Sequence, residues 1–253
     1  MRANILIFLL FLAGGLSSAL AQDVPVSPEG EEEVIALNFD FSVFPLDRAD
    51  WSGIFYAPKG DPQDKVEELR FNPHERTFGF SYNGPTPFRI YRKSLSPEGE
   101  EIYTTVGEIE LEPTREDLIL FFSLDRGANS SGPYRIQDMV DSKETFPEDS
   151  IVFFNSTGAT FFGLLGEERF TLKPGSSRPI DVSDFFENPA PIALVIKDGN
   201  NIRKVLVNKI NFSPDRRTLM IIRPPASGTS LRVRTQRLTE FLGSQSPSGD
   251  SGA

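Results

Sequence analysis

His74 is the only histidine in this chain, and there is no cysteine. Histidine is the commonest general base near neutral pH. Ser-His-Asp and Cys-His chemistry therefore has one base to build on and no thiol. His74 lies in Asn72-Pro73-His74-Glu75-Arg76, a turn-forming stretch in which a solvated side chain is expected. No G-x-S-x-G elbow, H-E-x-x-H pair or Walker glycine loop is present. Zinc and copper sites draw on several histidines and cysteines, so neither a transition metal nor another cofactor is expected. Calcium takes oxygen ligands, for which Asp47-Arg48-Ala49-Asp50 and Asp61-Pro62-Gln63-Asp64 are the two loop clusters. The 36 aspartates and glutamates leave glycoside hydrolysis open. That reaction needs two carboxyls at a defined separation, one with a raised pKa. Glu108, Glu110 and Glu112 alternate with Ile109 and Leu111, which points them to solvent. No residue is assigned a catalytic role, and the chain reads as a non-enzyme.

Binding chemistry is better supplied. The charge is −10, unevenly spread. Residues 22–201 hold 33 acidic and 16 basic side chains, whereas 202–237 hold nine basic ones against Asp215 alone. Arg203, Arg216, Arg217, Arg232 and Arg234 are thus candidates for contact with an acidic protein or an anionic envelope component, with packing beside the acidic remainder of the chain, which they would balance, as the favoured competing expectation. Period two would place Arg232 and Arg234 on one face. An acidic total argues against nucleic acid. Among aromatics, Trp51, Tyr56, Tyr82 and Tyr91 are the candidate stacking platforms for a glycan, with core burial as the competing expectation.

These residues must be positioned by strands. Ile35, Leu37, Phe39, Phe41 and Val43 alternate with small or polar residues, the pattern of a half-buried strand. Short strands of the same kind are expected at 51–56, 66–71, 77–82, 87–92, 101–106 and 118–124. After 126–133, a Gly/Ser-rich linker candidate, they continue at 134–139, 151–154, 159–165, 169–172, 178–182, 191–196, 202–210, 219–222 and 230–235. Asn83-Gly84-Pro85, Lys173-Pro174-Gly175 and Asp198-Gly199-Asn200-Asn201 supply turns, the last closing a hairpin. Residues 64–69 and 181–186 could each form a turn or two of helix. No segment keeps a 3.6-residue period for three turns.

Phenylalanine dominates the apolar set at 22 residues and occurs four times as adjacent pairs, at 121–122, 153–154, 161–162 and 185–186. Neighbours on a strand face opposite ways. Each paired strand therefore offers a ring to both sides of its sheet, and the outward ring is expected to be covered from within the chain. Any left uncovered would mark a partner or oligomer contact.

The N-terminus carries an address. Arg2, the apolar run 5–12 and the small-residue box Ala19-Leu20-Ala21 form a secretory signal peptide cleaved before Gln22. No later segment is apolar enough to span a bilayer, and no cysteine can take a lipid anchor. The expected location is periplasmic or extracellular.

Ile151-Val152-Phe153-Phe154-Asn155-Ser156-Thr157-Gly158, followed by Phe170-Thr171-Leu172-Lys173-Pro174-Gly175, resembles a pattern in exported bacterial immunoglobulin-like domains. There a strand ends in Asn plus small polar residues, and a later strand ends in Leu-x-Pro-Gly. The stretch is similar also to cupredoxin-like sandwiches, whose copper-ligating histidine and cysteine are missing here. As a whole the chain resembles secreted proteins of environmental bacteria. The resemblance implies a sandwich and an accessory role, and it carries over no functional residue.

The expected organisation is all-β, two immunoglobulin-like β-sandwich domains in tandem. The segments are a signal peptide 1–21, a flexible lead-in 22–33, a first sandwich 34–125, a linker 126–133, a second sandwich 134–242 and a disordered tail 243–253. The expected role is a non-catalytic structural or interaction protein of the envelope or a secreted assembly, with a homo-oligomer among the partner options. A carbohydrate-binding module and a carboxylate-dependent glycoside hydrolase are the alternatives.

Overall fold

Among the described residues the regular structure is strands, apart from one 3-10 turn. The computed structural model describes residues 36–113, 116–125, 132–199, 201–227 and 230–241. The expected signal peptide, lead-in and tail lie outside them. Among the described residues no helix is long and apolar enough to cross a membrane.

The strands fall into four sheets. Sheet II contains β1 (Ala36–Pro45), β4 (Thr77–Pro85), β7 (Leu118–Leu124) and β8 (Tyr134–Val140), in the order β4-β1-β7-β8. Sheet I contains β2 (Ile54–Tyr56), β3 (Glu67–Glu68), β5 (Phe88–Leu95) and β6 (Glu101–Ile109), in the order β3-β2-β5-β6. Sheet III contains β9 (Ser150–Asn155), β12 (Gly175–Ser176), β16 (Arg216–Arg223) and β17 (Arg234–Phe241), in the order β12-β9-β16-β17. The short β13 (Ile180–Asp181) also pairs with β9. Sheet IV contains β10 (Phe161–Leu165), β11 (Glu168–Leu172), β14 (Ala190–Asp198) and β15 (Asn201–Ile210), in the order β11-β10-β14-β15.

The second half repeats the path of the first. One strand enters an inner sheet, two form the outer sheet, the chain returns to the inner sheet, two more complete the outer sheet, and a final pair closes the inner one. In each half the entering strand pairs in parallel with the first strand of the closing pair: β1 with β7 from Phe41↔Leu118, and β9 with β16 from Thr218↔Ile151. The other pairings in these sheets are antiparallel. Hairpin β14–β15 closes with Asp198↔Asn201 in register, as the Asp198-Gly199 turn signal predicts.

Three apolar cores separate four layers. Between sheets I and II lie Leu37, Phe39, Phe41, Tyr56, Phe88 and Phe122, among others. Between III and IV lie Phe153, Phe161, Leu194, Val205 and Ile222. Between II and III lie Phe44, Ile119, Phe121, Met139, Phe146, Val152, Phe154, Leu219, Ile221 and Leu238. Parity on single strands decides the assignment. Leu118, Leu120 and Phe122 face the first core, while Ile119 and Phe121 face the seam. Ile151 and Phe153 face the second, while Val152 and Phe154 face the seam. Phe121 and Phe154 stack across it, centroids 3.8 Å apart and planes at 22°. The outward rings of these two pairs are thus covered from within the chain. In the pair at 161–162, Phe162 stays 47% exposed.

The boundary within the chain differs from expectation. Most of the 126–133 segment lies outside the described residues, but the strands it joins pair along their length, Leu118↔Val140 to Leu124↔Tyr134. Tyr134 and Ile136 belong to the first core. The segment therefore connects neighbours in one sheet, and the change of core falls at 141–149. Other shifts are smaller. Residues 64–69 carry β3 instead of a helical turn, and only Ser183–Phe185 is 3-10 helical. The last strand starts later than 230, because pairing Arg223↔Arg234 through Arg216↔Phe241 is what buries Leu238.

Removing a ring from the seam creates a cavity between two rigid layers. Phe154→Ala is expected to destabilise the chain by about 3–5 kcal/mol. It should also split calorimetric unfolding into two transitions. One transition at an unchanged midpoint would show that the seam does not couple the halves.

Candidate functional site

One edge of the seam is ionic. Arg76, just before β4, and Arg217 on β16 share two carboxylates, Asp141 after β8 and Glu240 on β17. Arg76 Nη1 donates to Asp141 Oδ2 at 2.6 Å, and Arg76 Nη2 to Glu240 Oε2 at 2.7 Å. Arg217 Nη1 donates to Asp141 Oδ1 at 2.6 Å, and Arg217 Nε to Glu240 Oε2 at 3.0 Å. Each carboxylate holds one arginine from each half. The Arg76 side chain is 1% exposed, and Arg217 Nη1 also reaches the Phe146 carbonyl. Bidentate arginine suits such a buried, shared arrangement. Further seam contacts run from Arg223 Nη1 to the Leu46 carbonyl at 2.7 Å and from Gln236 Nε2 to the Pro73 carbonyl at 3.0 Å.

Above this network lies a groove of about 530 Å³ that both halves line, with Phe78, His74 and Glu75 on one side and Phe241, Arg237 and Thr239 on the other. Phe78 and Phe241 are each 61% exposed. A β-bulge sets the first. Phe41 pairs with Phe80 and Val43 with Thr77, so Ser42 alone opposes Phe78 and Gly79. Gly79 takes φ +91°, a conformation that L side chains rarely adopt. The extra residue turns Phe78 away from Phe80 and Tyr82, which are buried. The Arg76 guanidinium sits 4.6 Å from the Phe78 ring centre, and that of Arg216 5.7 Å from Phe241.

A larger cavity, about 750 Å³, lies on the other side of the loop that carries His74, lined by Pro45, Asp47, Arg48, Trp51 and Phe71 among others. A third, about 340 Å³, collects Asp40, Asp117 and Asp141. Burial, and then the charges of Asp40 and Asp141, push the Asp117 carboxyl above its ordinary range. Asp141 is committed to the two arginines. Asp117 with Asp40 is therefore the nearest approach to an acid–base carboxyl pair in this cavity.

The expected glycan platforms are in the core. Trp51, Tyr56, Tyr82 and Tyr91 are all buried. Their polar tips are held by the chain: Trp51 Nε1 by the Asp47 carbonyl, Tyr56 Oη by Glu67, Tyr82 Oη by the Pro85 carbonyl and Tyr91 Oη by the Gly60 carbonyl. The aromatic surface is supplied instead by Phe78, Phe241 and Phe162. A strand pattern hides all three: the bulge moves Phe78, and nothing in sequence says which ring of an adjacent pair stays uncovered.

The expected basic face is not one surface. Arg217 is inside the seam network. Arg234 is drawn to the seam by the Pro224 carbonyl at 2.9 Å and Asp47 at 4.0 Å. Arg232 precedes β17, Arg216 sits on sheet III and Arg203 on sheet IV. These strands belong to different layers, so adjacency in sequence does not become adjacency in space. The expected calcium loops use their carboxylates internally. Asp50 accepts from Ser52, Asp61 from the Gln63 N–H, Asp47 from the Leu124 N–H, and Asp64 pairs with Lys59. Glu108 pairs with Arg89, and Glu110 accepts from Thr86.

The two outer sheets occupy equivalent positions and differ in surface. Sheet I carries the ion pairs Arg89–Glu108 and Lys93–Glu101 and leaves Leu95 and Ile102 exposed at its β5–β6 hairpin end. Sheet IV shows Phe162 and Leu164 beside Val195 and Ala193, and then Val207, a continuous apolar strip by register. Arg169, Lys204 and Lys209 flank it in the same register and make no ion pair among the described residues. A shallow groove of about 420 Å³ runs over Phe162, Leu164 and Arg169.

No protein-family model matches this chain, and no curated protein matches its sequence.

Two measurements probe this chemistry. Asp141→Asn leaves two buried arginines sharing one carboxylate, and is expected to lower unfolding free energy by about 3–5 kcal/mol in a denaturant titration. Burial raises the phenol pKa of Tyr56 and Tyr91, and pushes Tyr82 up to about 12. The unfolded phenols ionise near pH ~10. The stabilisation is therefore complete below about pH 10 and is lost as pH rises toward 12. Tyrosinate absorbance from these three rings should appear only as the fold melts. Their ionisation near pH ~10 in the folded protein would contradict the burial.

Proposed function

We propose that this protein is a non-catalytic structural and interaction protein of a bacterial envelope or secreted assembly, built as a tandem of immunoglobulin-like sandwiches. The leader at 1–21 supports export. The observation that carries the interaction reading is the contrast between the outer sheets. Sheet I pairs charges across its strands and exposes Leu95 and Ile102 at the β5–β6 hairpin end, whereas sheet IV leaves an apolar strip across its strands flanked by Arg169, Lys204 and Lys209. Exposed apolar surface rimmed by charge is the signature of a docking face. No acid shares this strip in the strand register, so two copies meeting face to face would oppose like charges. The partner this favours is an acidic protein that presents apolar side chains. A rigid seam between the halves supports a spacer role, because the two outer faces are then held at a fixed separation.

Crosslinking in the native host followed by mass spectrometry tests the reading. The expected result is an acidic envelope or secreted protein linked through Lys204 or Lys209. The link should disappear in Phe162→Asp plus Leu164→Asp while circular dichroism is unchanged. Exclusively cytosolic neighbours would overturn it. So would turnover of chromogenic glycosides that falls in Asp117→Asn.

A further inference from the structure

We propose that the groove across the seam is a binding site for a neutral oligosaccharide, with Phe78 and Phe241 as its stacking platforms. The first observation is the rings themselves. Two phenylalanines, one from each half, line one groove and are each 61% exposed. Burying such rings is strongly favourable. Here a bulge with Gly79 at positive φ directs Phe78 outward, and β17 delivers Phe241 on the other bank. An arginine covers part of each ring and leaves the rest in solvent. Flat apolar surfaces in water are complementary to the C–H faces of pyranose rings.

The second observation is charge. The floor contains two arginines and two carboxylates that neutralise one another. On the rim, Glu75 accepts from Asn72, and Arg237 Nη1 donates to the Asn211 carbonyl at 3.1 Å. Together with His74 and Thr239, the rim offers donors and acceptors of both kinds, with Glu75 opposed by Arg237 and one further cation, Arg216, over Phe241. A charged ligand of either sign meets a like charge beside any countercharge there. A polyhydroxylated neutral one finds apolar faces and alternating hydrogen-bond partners. The volume, about 530 Å³, lies within the range of small-ligand sites. The Arg76–Asp141–Arg217–Glu240 network fixes the two banks relative to each other, so the platforms are held in place before ligand arrives.

This site is separate from the sheet IV face, and its test fails or succeeds independently of that reading. The full chain is titrated calorimetrically with β-1,4-linked glucose, xylose and N-acetylglucosamine oligomers, with oligogalacturonate as the anionic comparison. Saturable binding of at least one neutral oligomer is expected, at an affinity unchanged between low and high salt. Phe78→Ala and Phe241→Ala should each weaken it about tenfold or more. Both rings are exposed, so the variants should fold, and circular dichroism checks this. Leu95→Ala, at an exposed apolar position of sheet I away from the groove, should bind as the parent does. No binding of any neutral oligomer at millimolar concentration would overturn the proposal. So would binding of oligogalacturonate alone, or neutral binding unaffected by either phenylalanine substitution.

Discussion

Phe121 and Phe154 lie flat against each other at the centre of the seam, and the other layers take their positions from that contact. Each ring sits on a central strand buried on both faces, β7 and β9. The neighbour of each in sequence, Phe122 and Phe153, anchors the core on the opposite side. Three cores are thus linked by two dipeptides. A dry seam of this kind resists sliding, because close-packed side chains have no continuous range of alternative arrangements.

The ionic edge of the seam adds orientation to that adhesion. Asp141 and Glu240 each hold one arginine from either half, so rotation about the aromatic contact would break several charge-assisted bonds together. Networks of this type contribute little net stability against a well-packed apolar alternative. Their value here is geometric: they hold Phe78 and Phe241 on facing banks. The halves share one strand path, and the difference between them lies in what their outer sheets leave exposed. Sheet I carries cross-strand ion pairs with Leu95 and Ile102 exposed at its β5–β6 hairpin, and sheet IV leaves an apolar strip between cations.

Much of the fold was legible from alternation alone. The all-β class, the half-buried strand from Leu37 to Val43, the continuous apolar strand at 118–124, the hairpin at Asp198 and the internal cover of Phe121 and Phe154 all follow from a side-chain period of two. The site was mostly not legible. Trp51, Tyr56, Tyr82 and Tyr91 carry the chemistry of a glycan platform, but packing buries all four, with the indole and two hydroxyls on backbone carbonyls and Tyr56 on the Glu67 carboxylate. Phe78 is exposed through a one-residue register shift, which no propensity reports. Arg217 and Arg76 are 141 positions apart and meet at one aspartate.

The sequence by itself determined the class of fold and an inventory of one histidine and no cysteine, because strand period and composition are local properties. Tertiary structure alone decided which rings are covered, which arginines are spent inside the seam and which remain outside. Those outcomes depend on sheet order and register. The contacts that set them join strands far apart in the chain, and a single bulged residue reverses the direction in which a side chain points.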